Sequence, residues 1–314
     1  MRPQTVLKPQ PRESGAAGLA VTGWSLHLPD ADVPRAVARH GIGEPAGWAR
    51  EEACPPERAA DLLGRRGLLY KEPATRLALC AVHRALGLPP RHRPDGPPDP
   101  GTAVVACANL GNVATLAEVV RTVDAEGGRS VSPLMAPNAS SNVVASTVAL
   151  WFRFGGPNLM VCSGATAGLD ALWLAGLLLR AGRAERVVVV GAEPADEVAG
   201  AMHKAAGGGA SLRAGAACLI VHPGGREVGG RRSASDADIG TPRVFVDPPP
   251  PADGGPVIGP GGFDPAEYWG DQYGAQGLVS VALAAHLVAD EGLGPMLVRC
   301  GGEPDGWRTA RVMA

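Results

Sequence analysis

The side chains best able to act as nucleophiles are six cysteines, at positions 54, 80, 107, 162, 218 and 300. They form no CxxC pair and no short paired spacing, and most lie in apolar runs such as Leu79-Cys80-Ala81, Val105-Ala106-Cys107 and Ala217-Cys218-Leu219. Scattered thiols of this kind fit a reduced, cytosolic protein better than a disulfide framework or a zinc site, so neither a metal nor a cofactor is expected. Cys162 stands apart because it ends the apolar stretch Asn158-Leu159-Met160-Val161 and opens a run of small residues, Ser163 to Gly168. A strand running into such a turn and then a helix holds side chains at a helix N-terminus, where the dipole and open N–H groups favour a thiolate or an oxyanion. Ser163 would need a histidine base, and none of His27, His40, His83, His92, His203, His222 or His286 belongs to a recognisable motif.

Other chemistry-bearing residues read more plainly. His203-Lys204 precedes Gly207-Gly208-Gly209 but lacks the spacing and following helix of a phosphate loop, so a flexible turn is the reading. Glu193 and Asp170 adjoin apolar elements and could form a carboxylate pair, with structural hydrogen bonding as the bland alternative. Pro248 to Pro251 reads as a rigid surface loop rather than a polyproline ligand.

The elements that must position these groups alternate. Strands are predicted at 19–24, 102–107, 158–162, 186–190, 244–246 and 295–298. Helices are predicted within 56–88 and at 116–123, 142–154, 169–179 and 278–288. The helix from Leu169 is apolar nearly all round and therefore buried. This is an α/β chain. The first 17 residues read as a disordered tail, 18–222 as one α/β half, 223–264 as a Gly/Pro-rich loop region and 265–314 as a short second half. With 29 basic against 31 acidic residues, the net charge of −2 removes the simplest argument for nucleic acid or an anionic membrane. The N-terminus has no apolar signal-peptide core, and the longest apolar run is shorter than the roughly 20 residues of a bilayer span.

Several segments together carry a family resemblance. Gly156-Pro157-Asn158-Leu159-Met160-Val161-Cys162-Ser163-Gly164-Ala165-Thr166-Ala167-Gly168 resembles the active-site segment of the β-ketoacyl synthases. So does the preceding Ser132-Pro133-Leu134-Met135-Ala136-Pro137-Asn138. Gly191-Ala192-Glu193 resembles the Gly-Gly-Ala-Glu that ends that family's next strand, and Gly270-Asp271-Gln272-Tyr273-Gly274-Ala275-Gln276-Gly277 resembles its Gly-His-Thr-x-Gly-Ala-x-Gly. The resemblance implies a thiolase-like fold: two α/β halves in five layers, working as a dimer, here with a shortened C-terminal half. It also implies condensation of acyl chains on acyl carrier protein, using one cysteine and two histidines.

Carried over residue by residue, that chemistry fails. The nucleophile position falls on Ala165, the second-motif histidine on Asp271, and the His-Gly-Thr-Gly-Thr histidine has no counterpart in residues 223–265. The resemblance therefore points to a chain-length-factor-like subunit: catalytically silent, paired with an active ketosynthase, and forming a wall of the acyl tunnel in polyketide or fatty-acid type elongation. Chain-length factors usually carry glutamine at the cysteine position and keep a full C-terminal half, and this chain departs from both. Two alternatives stay open: an acyltransferase using Cys162, which otherwise reads as a small buried thiol, and a homodimeric acyl-chain or carrier-protein binding module.

Overall fold

A computed structural model describes residues 18–33, 37, 52–224, 241–247, 255–290 and 292–314. Nine strands are found among them: β1 (Leu19–His27), β2 (Thr102–Cys107), β3 (Asn158–Val161), β4 (Arg186–Glu193), β5 (Gly215–Pro223), β6 (Arg243–Val246), β7 (Val257–Ile258), β8 (Met296–Gly302) and β9 (Gly306–Met313). They are hydrogen-bonded in the order β3-β2-β4-β5-β1-β6-β9-β8-β7. β2 is buried at all positions, as a continuous apolar strand must be when both faces are covered, and it pairs in parallel with β3 and β4. The helices described are α1 (Ala59–Leu63), α2 (Pro73–Ala85), α3 (Val113–Glu126), α4 (Val143–Phe152), α5 (Ala167–Arg180), α6 (Glu197–Ala205), α7 (Pro265–Trp269) and α8 (Gln276–Ala289).

The second half repeats the pairing of the first. In the first, β1 and β5 are antiparallel, β5 and β4 antiparallel, and β4 and β2 parallel. In the second, β6 and β9 are antiparallel, β9 and β8 antiparallel, and β8 and β7 parallel. The two halves join where Leu19 and Ala20 of β1 meet Val244 and Arg243 of β6. No counterpart of β3 follows β7 among the described residues, which is where the second half is abbreviated.

α5 and α8 lie against each other and against strands of both halves, so one apolar cluster runs through Leu169 and Leu172 of α5, Leu283 and Leu287 of α8, Val189 and Leu219 of the first half, and Val298 and Val312 of the second. α8 is buried along nearly its whole length, as an all-round apolar helix must be, whereas α5 corrects the expectation of full burial: Trp173 is 44% exposed and Leu174, Leu177 and Leu178 are half-buried, so one apolar face of α5 is left open. On the other face of the first half, α2 and α4 cover a separate cluster that includes Leu77, Val104, Val148 and Ile220. The described residues thus build four layers, helices, strands, helices and strands, and the outer face of β8 and β9 has no helix among them. β8 accordingly alternates buried and half-buried residues, the pattern of a sheet covered on one side.

The element expectations at 102–107, 158–162, 186–190 and 278–288 are met to within a few residues, and α1 and α2 fall within the helical 56–88, while α6, α7, β5, β7 and β9 had no assignment from sequence. His203 and Lys204 close α6, whose N-cap Asp196 accepts from the Ala199 N–H at 3.0 Å, and the turn follows at Gly207. The N-terminal 1–17, His40, Pro248–Pro251 and most of the 223–264 region lie outside the described residues. Among the described residues no helix is long and apolar enough to cross a membrane.

Candidate functional site

β3 ends at Val161, Cys162 and Ser163 follow, and residues 164–166 make one tight turn before α5 begins at Ala167. Gly164 has φ 72°, the left-handed region that a side chain disfavours. Asn109, just past β2, grips this glycine from both sides: its amide Nδ2 donates to the Gly164 carbonyl at 2.8 Å, and the Gly164 N–H donates to its Oδ1 at 3.0 Å. Asn109 is itself held by Glu193, whose Oε1 accepts the Asn109 N–H at 2.6 Å and whose Oε2 accepts the Leu110 N–H at 2.9 Å. Glu193 is completely buried, and burial outweighs those donors to push its pKa up to about 8.

Ala165 stands at the tip of the turn, half-buried. Its N–H points at a carboxylate, donating to Asp305 Oδ2 at 2.7 Å. Asp305 belongs to the connection between β8 and β9, and any Cβ on Gly164 would collide with it. The backbone donor that could stabilise an oxyanion at this helix N-terminus is therefore occupied by a resident anion. Nothing in the local sequence signals this contact, because 140 residues separate its partners.

Cys162 is exposed, which corrects the expectation of a buried thiol: the chain leaves the sheet one residue earlier, at Val161. Its Sγ donates to the Ala108 carbonyl at 3.2 Å, and although the residue as a whole is exposed, partial enclosure and the nearby Glu193 push its pKa up, away from a thiolate. Among the described residues Ser163 has no histidine partner. Its hydroxyl makes a short bond to Asp170 Oδ2, which also accepts from Thr166 Oγ1 at 2.7 Å, while Asp170 Oδ1 pairs with Arg308 at 2.8 Å. Arg308 also pairs with Asp247. Asp170 and Glu193 thus have separate partners and form no carboxylate dyad.

Asp271 begins the matching turn of the second half. Its Oδ2 meets His203 Nε2 at 2.8 Å and its Oδ1 accepts the Tyr273 N–H at 2.7 Å. His203 is almost fully buried, with the Tyr273 ring edge-on at 5.3 Å and Gly208 pressed against its other side. This histidine therefore serves a structural pair that spans α6 and the turn. Sequence reasoning had set His203 apart from Asp271, and only the fold joins them.

Residues 51–224, just over half of the chain, match the model of the β-ketoacyl synthase N-terminal domain. The chain belongs to the β-ketoacyl synthase family. No curated protein matches it in sequence. Among solved structures it is similar to the ishigamide ketosynthase/chain length factor (20% identity, TM-score 0.64, 94% of this chain and 98% of that one). A type II polyketide-synthase ketosynthase, solved with its acyl-carrier protein and a hexaketide, matches at 14% identity and TM-score 0.67 over 94% and 99%. A Streptomyces albus oxazolomycin ketosynthase domain matches at 16% and TM-score 0.52 over 94% and 95%. At these identities the likeness establishes the ketosynthase, thiolase-like fold. Within that fold Ala165 places a methyl group at the tip of this turn, Asp271 acts on Glu193, and burial together with Asp305, Glu193 and Asp271 raises the pKa of Tyr273.

Proposed function

We propose that the chain is a catalytically silent, ketosynthase-like partner subunit, similar in role to a chain-length factor, that pairs with an active ketosynthase during acyl chain elongation in polyketide or fatty-acid type synthesis on acyl carrier protein. The observation that carries this reading is the Ala165 N–H bonded to Asp305: the turn has lost its acyl acceptor, and its oxyanion donor serves a carboxylate. Decarboxylative condensation builds negative charge at this point. The carboxylates of Asp271 and Asp305 oppose such charge instead of stabilising it, and Glu193, which holds its proton to about 8, offers no cation in their place.

The framework meanwhile presents a surface suited to a partner. β3 lies at the end of the sheet with Asn158 and Leu159 exposed, and on the adjoining α4 Leu150 is 80% exposed. An open strand edge flanked by apolar side chains is a template for pairing. Co-expression with a ketosynthase encoded beside it, followed by size exclusion, should yield a heterodimer that Leu150→Arg with Leu159→Arg dissociates. Monomers alone would sink the proposal.

The exposure of Cys162 favours one second reading, an acyltransferase built on that thiol. The same preparation incubated with acyl-thioesters separates the two by intact mass: an adduct lost in Cys162→Ala supports the enzyme, and an unmodified chain supports the silent subunit.

A further inference from the structure

Away from this site, three soft ligands converge from three elements. His27 ends β1 and is completely buried, Cys80 lies on α2 and is buried, and Cys54 precedes the turn into α1 and is half-buried. One donor atom from each lies within 4.8 Å of the other two, and Cys54 Sγ stands 3.9 Å from His27 Nε2. A tetrahedral zinc ion has Zn–S bonds of about 2.3 Å and Zn–N bonds of about 2.0–2.1 Å, which place sulfur about 3.6 Å from nitrogen. We propose that His27, Cys54 and Cys80 form a binding site for a thiophilic divalent cation, with Zn²⁺ as its occupant.

Contraction by a few tenths of an ångström brings the Cys54 sulfur and His27 nitrogen to ligand spacing. Two of the three ligands are soft sulfurs, and the Arg84 guanidinium lies near both, a cation that would balance part of their charge once bound. Arg84 also donates to the Glu52 carbonyl at 2.8 Å, which fixes the segment that carries Cys54. Among the described residues His27 Nδ1 has no hydrogen-bond partner, and its Nε2 meets the Cys54 carbonyl at 2.9 Å. Three protein ligands leave a fourth tetrahedral position, reached from the half-exposed side of Cys54, for water. The sequence concealed the site because its ligands are 26 and 27 residues apart, far from any zinc-finger spacing.

The test uses the reduced full chain and the metal alone. Dialysis against Zn²⁺ should leave one ion per chain, Co²⁺ should give a thiolate-to-cobalt charge-transfer band, and Zn²⁺ should protect Cys54 and Cys80 from alkylation. Cys54→Ser should weaken Zn²⁺ by more than the roughly 10–100-fold that outer-shell changes cost, and Cys162→Ser should leave it unchanged. The proposal is overturned by a wild-type chain that retains no zinc, by a cobalt band that survives Cys54→Ser, by unprotected thiols, or by a Cys54–Cys80 disulfide in chain kept under reductant. The protection measurement needs no variant, so a Cys54→Ser chain that fails to fold leaves the question decidable.

Discussion

The turn at Gly164–Gly168 and the turn at Tyr273–Gly277 occupy equivalent places in the two halves, and they differ in what caps them. Each is a single tight turn running into an apolar helix, α5 or α8. Each helix carries a glycine against the other: a Cβ on Gly168 would lie 2.7 Å from the Leu278 nitrogen, and one on Gly277 would lie 3.3 Å from the Leu169 nitrogen. Packing between the halves is thus reciprocal. The caps are not. The first turn is closed by Asp305 from a distant loop, and the second by its own Asp271 with His203. Close helix approach is required to bury α5 and α8 whether or not any reaction occurs, whereas the groups at the tips answer only to chemistry. The first is shared by both halves; the second differs, with an aspartate from a distant loop at one tip and a local aspartate paired with a histidine at the other.

Glu193 lies beneath both turns, gripping Asn109 on one side and receiving a backbone bond from Gly274 on the other. It gives the largest expected effect. An unfolded glutamate ionises near 4.5, while the folded one holds its proton to about 8. Between those values the folded state binds more protons, so stability falls as pH rises, by up to roughly 1.4 kcal/mol per unit and on the order of 4 kcal/mol across the window. Urea unfolding of wild type and Glu193→Gln from pH 5 to 8 isolates the term, because other groups cancel in the difference. Wild type should lose stability more steeply, and parallel curves would show that the two turns share no such keystone.

Packing comes next. Gly168→Ala forces a methyl onto backbone that cannot yield, and should cost about 3 kcal/mol, the upper end for overpacking. Gly277→Ala meets the Cys300 sulfur at 3.1 Å and should cost about 1 kcal/mol. Gly200→Ala on α6, with open space around it, should be stabilising by up to about 1 kcal/mol. Equal losses at 168 and 277 in denaturant titrations would mean the approach of the helices is symmetric in energy as well as in topology.

What the sequence disclosed follows from how local each signal is. β2 and α8 were legible because burial on all sides demands a nearly continuous apolar run, which Thr102–Cys107 and Leu278–Val288 have apart from Thr102, Ser280 and His286. The residues on which the proposed silence rests were legible too, since Ala165 and Asp271 sit inside contiguous motifs. β9 was not, because Trp307, Arg308 and Arg311 interrupt a strand whose partners only the fold supplies: Arg308 turns to Asp170 and Asp247. Asn109 was missed because its role is to imitate a backbone pair with Gly164, 55 residues away. An asparagine after a strand has no composition signal for that. The burial of Cys162 was misread because a hydrophobic run shows that a strand exists, not where it leaves the sheet.

The smallest effect probes the cap itself. Ala165→Cys restores a thiol to the turn, but beside the Asp305 carboxylate. A like charge at that range disfavours the thiolate, whereas the helix N-terminus alone would favour it. The restored thiol should therefore alkylate slowly, and Ala165→Cys with Asp305→Asn should react about tenfold faster at neutral pH, the change expected from one pKa unit. A Cys162→Ser background removes the neighbouring exposed thiol from the measurement. Neither variant should extend an acyl chain, since Asp271 remains bound to His203 and supplies no substitute for a histidine facing the acceptor. Equal alkylation rates with and without Asp305 would show that the carboxylate merely fills space at the tip, and the contrast between the two caps would then lie in the missing thiol alone.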